Sequence, residues 1–194
     1  MRRRIFDTLV ATAGLVIAAV LLLAGVLLGW GHSFVTSEVH TQLAAQKIIF
    51  PPAGSPAIKA PEFAAMRQYA GQEMTTGAQA EVYADHFIAN HLKAIGGGKT
   101  YAQLSAASLA QPKNTALAAQ VQLMFRGETL RGMLLNAYAF GQIAMIMGIA
   151  EIAAFAGAAL MLILSALGFV HERRTAPDAE VFPKLTTPVG ASAS

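Results

Sequence analysis

Residues 8–37 read TLVATAGLVIAAVLLLAGVLLGWGHSFVTS, thirty residues without Asp, Glu, Lys or Arg. A second stretch, residues 132–170, carries Glu151 as its only charge. Crossing a hydrocarbon core of about 30 Å takes about 20 apolar residues in a helix, and both stretches exceed that. They account for the unusual composition of the 194-residue chain, which is 55% hydrophobic and 13% charged, against roughly 25% charged for soluble domains. A signal peptide is the competing reading of the first stretch. Its apolar part is about 7–15 residues and ends at a small-residue cleavage site. Here the apolar run covers residues 9–30 and is followed by Gly31-His32-Ser33-Phe34, which favours an uncleaved anchor.

Basic residues close to a span face the cytoplasm. Arg2, Arg3 and Arg4 precede the first span, and His171, Arg173 and Arg174 follow the second. On the other side the nearest bases are Lys47 and Arg131. The expected topology therefore has both ends inside, with Trp30 and Glu151 marking the outer headgroup zone. The expected segments are a basic flank at 1–6, a first span at 7–30, an extracytoplasmic helical domain at 31–150, a second span at 151–171 and a flexible cytoplasmic tail at 172–194. The net charge of +3 comes with scattered bases outside the flanks, so nucleic acid is not indicated. The lack of Cys removes disulfides, thiolate metal sites and thiol nucleophiles.

Between the spans the pattern is helical. Val35, Val39, Leu43 and Gln46 prolong the first helix to about Lys47, where Phe50-Pro51-Pro52 breaks it. Short helices are expected over residues 62–69 and 77–95, the latter with an Ala84, Ile88, Leu92 and Ile95 stripe ended by Gly96-Gly97-Gly98. Thr100 and Gln103 have capping-box spacing. Pro112 is expected at the start of the next helix, with Leu117, Val121, Met124 and Phe125 on one side and a hinge at Arg126-Gly127-Glu128. The last helix, from Glu128 to His171, has no Pro and would be about 65 Å long at about 1.5 Å per residue. The fold class expected is all-α: two long antiparallel helices that span the membrane and extend into an extracytoplasmic helical bundle.

Small residues recur at helix-packing spacing: Gly25 and Gly29 in the first span, and Ala150, Ala153, Ala154, Gly157 and Ala158 in the second. Such faces let backbones approach and dispersion hold them together in lipid. They serve contact between the two spans, or contact with another subunit, or both. Glu151 reads as an interfacial residue or a partner of His32; a proton path would need a polar chain through both leaflets. His86 and His91 stand five apart, which separates their rings on a helix, whereas zinc helices use four. Hydrolase, Walker and dinucleotide motifs are lacking. Gly96-Gly97-Gly98-Lys99-Thr100 is a helix stop and start rather than a phosphate loop.

Several segments carry a family likeness: Trp30-Gly31-His32, Gly77-Ala78-Gln79-Ala80, Tyr83-Ala84-Asp85-His86, Gly97-Gly98-Lys99-Thr100-Tyr101 and Gly127-Glu128-Thr129-Leu130-Arg131-Gly132. With these the chain resembles a family of actinobacterial two-span membrane proteins, over most of residues 2–174. The resemblance implies topology and compartment, and no activity. Some members carry a ring-opening dioxygenase label. Non-haem iron needs a set such as two His and a carboxylate, and no such local set stands in this sequence.

The expected function is a non-enzymatic accessory or scaffolding subunit of a larger membrane or envelope complex, without a cofactor or metal. Its partners would be the lipid bilayer and other membrane subunits or itself. The alternatives are a self-assembling ring or pore, which the lack of a polar stripe disfavours, and an extracytoplasmic module that binds a lipid or small ligand.

Overall fold

The computed structural model describes residues 3–174. Arg2 and the tail from residue 175 on, to which the sequence reading assigned a boundary role and a flexible segment, lie outside the described residues. Every regular element among the described residues is helical, and the one extended pairing is an isolated bridge between Ile49 and Glu73. Two helices dominate: α1 (Arg3–Ala44) and α5 (Thr115–Arg174). Each is long and apolar enough to cross a membrane. The chain divides into two compact units. One takes in the chain up to Gly29 and from Ile149 on; the other is Trp30–Gly148.

In the first unit, the residues of α1 that turn inward recur at intervals of three and four: Asp7, Ala11, Gly14, Ala18, Leu21, Gly25. On α5 the corresponding series is Glu151, Ala154, Ala158, Met161, Ser165, Gly168. That is a heptad alternation, the pattern of helices packed at a shallow left-handed crossing. Thr8 and Thr12 stay within their helix, donating to the carbonyls of Arg4 and Thr8 at 2.8 and 2.7 Å. This satisfies hydroxyls that would otherwise be costly in an apolar setting. The large apolar side chains point away, with Leu23, Leu27 and Ile152 between 67 and 71% exposed.

The second unit is organised the opposite way. α1 ends in a turn whose Lys47 has φ of 52°, a left-handed cap that satisfies the last carbonyls. Two 3-10 segments follow, Pro56–Ile58 and Pro61–Tyr69. Next comes a continuous helical stretch: α2 (Gly77–Val82), a π-helical section (Tyr83–Ile88) and α3 (Ala89–Ile95). α4 is Tyr101–Ala110. Leu43, Phe50, Ile58, Met66, Met74 and Leu134 form one core, and Leu92, Leu104, Val121 and Met124 a second.

Three sequence expectations need correction. The helix thought to start at Pro112 starts at Thr115, because the Asn114 side chain caps it, accepting from Leu117 N at 3.0 Å. It then runs through Arg126-Gly127-Glu128 without a hinge. Gly127 is there for proximity: a Cβ on it would collide with the Leu92 side chain. Phe125 also leaves the face assigned to it. It is exposed and stacks on Tyr101 at 5.8 Å, while Val121 and Met124 are buried.

Candidate helix-packing interface

The seam of the first unit is built from the smallest side chains. A Cβ added to Gly25 would lie 2.9 Å from the Phe155 ring, and one on Gly29 would lie 2.5 Å from Glu151 Oε1. On Gly157 it would meet Leu21 at 3.3 Å, and on Gly168 the Ala11 Cβ at 3.1 Å. One on Gly14 would collide with Ser165 Oγ. At each of these glycines a side chain of the facing helix occupies the space a Cβ would take, so the small residue is what lets the two helices pack closely.

The small residues singled out in the sequence are not equivalent. Gly25, Ala154 and Ala158 are buried, Gly29, Ala150 and Gly157 are half-buried, and Ala153 is exposed. Ala11, Gly14, Ala18, Ser165 and Gly168, which the sequence reading passed over, belong to the same seam. The heptad spacing of small residues was the signal available for them; a search for four-residue spacing alone misses every second step.

Among the boundary residues, Arg4 is half-buried and donates from Nε to the Glu172 carbonyl at 3.4 Å. Arg3, His171, Arg173 and Arg174 are exposed. Glu151 is half-buried against Gly29. His32 does not seek an acid: its Nδ1 donates to the Ala144 carbonyl at 2.7 Å. Trp30 and Phe34 stack on each other at 5.7 Å, both exposed.

In the second unit polar groups are engaged in holding helices. Thr76 and Gln79 form a capping box, as do Thr100 and Gln103. Gln79 is 6% exposed, and its side chain also accepts from Thr75 N at 2.8 Å and donates to Gln72. Arg131 pairs with Asp85 at 2.7 Å, with Glu128 3.8 Å away. The π-helical section aligns Tyr83, Phe87 and His91 as a ladder, with centroids 4.8 and 4.3 Å apart. Burial raises the Tyr83 phenol above the ordinary tyrosine value. His91 donates from Nδ1 to the Phe87 carbonyl at 2.7 Å, and His86 to that of Glu62 at 3.1 Å. The His91 imidazole thus ties backbone and ring stack locally, whereas His86 ties the π-helical section to the Pro61–Tyr69 segment. Among the described residues no group of three metal-ligating side chains converges.

No family model, curated protein or solved structure matches the chain.

Proposed function

We propose that the chain is a two-span membrane protein with both ends in the cytoplasm. In this reading α1 and α5 cross as an antiparallel pair and the helices between them lie outside. It acts as a non-enzymatic accessory or scaffolding subunit of a larger membrane or envelope complex. The family likeness to actinobacterial two-span proteins belongs to the same proposal.

The observation that carries the subunit role is an apolar flank on α5 within the second unit. Met133, Phe140 and Ile143 are spaced seven and three, hence on one helix face, and are 65, 54 and 48% exposed. Met133 stands 18 residues before Glu151 in the sequence, outside the span that begins there in this reading, so lipid does not cover it. Exposed apolar surface in water marks a contact site. The membrane assignment is supported by the large apolar side chains turned outward in the first unit.

Extraction of the tagged protein from native membranes in a mild detergent, with native mass measurement, tests this. A complex containing a second polypeptide is the expected result. A discrete homo-oligomer would move the reading to self-assembly, and a monodisperse monomer in several detergents would sink it.

A further inference from the structure

On α5, Phe125, Thr129, Gly132, Asn136, Ala139 and Ile143 follow one another at alternating intervals of four and three, and all six are exposed. That alternation puts them on one helix face and is the spacing of a coiled-coil seam. None of the six is charged. The opposite face of the same turns is taken up within the second unit: Leu134 is buried, and a Cβ on Gly127 or Gly141 would meet Leu92 or Gly77. α1 and α5 hold ten glycines, and at nine of them an added Cβ would meet another segment of the chain; at Gly132 it would meet nothing within 4 Å. Glycine weakens a helix relative to alanine, and everywhere else on the long helices it serves close approach. Gly132 thus marks a close approach whose other side lies outside the chain. Asn136, four residues on, forms no hydrogen bond with any described residue.

We infer that a second copy of this chain packs along this face, α5 beside α5, parallel and in register about a two-fold axis. The face is complementary to itself in three ways. Under the axis each seam residue meets its own counterpart, so facing glycines let the backbones approach and no like charges oppose each other. An Asn amide carries both donors and an acceptor, so Asn136 of one copy bonds Asn136 of the other, and an Asn at a seam position fixes register. Arg126 and Glu128 stand about 80° to either side of the seam. A parallel two-fold sets the Glu128 side of one copy against the Arg126 side of the other, with the two charges two residues apart along the helix. Arg126 is exposed and has no ion pair among the described residues, and Glu128 has only Arg131 at 3.8 Å. The parallel sense rests on the membrane reading above, in which both copies cross in the same direction. Met133 and Phe140 lie to one side of the seam and stay open to a further polypeptide.

The chain has no Cys, so one introduced thiol forms a disulfide only with another chain. The test places it at Ile143→Cys, on the seam, or at Met145→Cys, about 160° round the helix; the two native side chains are 48 and 51% exposed. Each full-length variant is oxidised mildly in native membranes and its products are weighed. Ile143→Cys should give an adduct of twice the chain mass and Met145→Cys none, since a disulfide needs Cα atoms within about 7 Å. Gly132→Leu, whose Cβ has open space around it, should leave the second unit protease-resistant and abolish the Ile143→Cys adduct. Asn136→Asp, which sets two carboxylates face to face, should reduce it. No double-mass adduct, equal linking from Met145→Cys, or linking unchanged in either added variant would each overturn the pairing. An adduct with a different polypeptide would overturn the second copy as occupant while upholding the subunit role. Alkaline extraction of the same membranes reports the spans separately: release into the wash defeats the membrane reading, whereas firm retention without the adduct defeats only the pairing.

Discussion

The two units bury opposite kinds of side chain. In the first, the buried residues are Ala11, Ala18, Gly25, Ala154, Ala158 and Ser165, none larger than serine, while Leu, Ile and Val point out. In the second, the largest fully buried side chains are Phe50, Ile58, Met66, Met74 and Met124. The physical difference is the solvent each arrangement suits. Water drives large apolar side chains inward. A hydrocarbon solvent gives them no reason to turn inward, so close backbone approach and dispersion decide what is buried. The same helix, α5, buries Val121, Met124 and Leu134 in its first half and only Ala154, Ala158 and Ser165 in its second.

That contrast can be broken most forcefully in the second unit. Phe50→Ala removes a ring packed on Tyr69 and Tyr83, and a buried Phe→Ala change costs about 3–5 kcal/mol. The second unit should become protease-sensitive while the protein still resists alkaline extraction; loss of both together would show that the units do not stand independently. Ala158→Leu adds bulk at a fully buried seam position, where overpacking costs about 1–3 kcal/mol. Its melting temperature in detergent should fall, whereas Ile152→Leu on the exposed face should leave it unchanged. An unaffected Ala158→Leu would show that the seam is not close-packed.

Smaller changes sharpen the picture of the second unit. Thr76→Ala removes one capping box and should cost about 1 kcal/mol, visible as faster amide exchange in Gly77–Val82. Asp85→Asn breaks an ion pair whose side chains are 33 and 41% exposed, so its effect should stay below about 1 kcal/mol. Tyr83 gives the last test. Its raised phenol keeps its proton where an unfolded tyrosine, near pH 10, has lost it. The unfolded state then binds fewer protons than the folded one, so stability falls as pH rises above about 10. Below that the phenol is neutral in both states and contributes no slope. Tyr83→Phe should flatten the alkaline limb of a stability-against-pH curve.

Much of the second unit was legible locally. The Thr100–Gln103 box, the triple-glycine stop and the helical stretch over 77–95 all follow from chemistry within a few residues. The hinge at Arg126-Gly127-Glu128 was misread because glycine's low helix propensity says nothing of the Leu92 side chain that requires it. The Thr76–Gln79 box has the same spacing as the one recognised and was overlooked. The π-helical section has no sequence mark of its own; the ladder it carries, Tyr83, Phe87 and His91, is completed by Phe63 from a distant segment.

Length, hydropathy and charge, which belong to the chain alone, were enough to mark two apolar stretches of spanning length, the second with Glu151 as its only charge, and the positions of their basic flanks. The tertiary structure decided which small residues form the seam. A helix offers several small faces, and only the neighbour it packs against selects one. It also decided that Asp7 and Ser165, 158 residues apart in the sequence, each bury an oxygen that no described residue bonds. Whether a buried polar atom has a partner is a property of its surroundings, and no reading of either helix alone contains it.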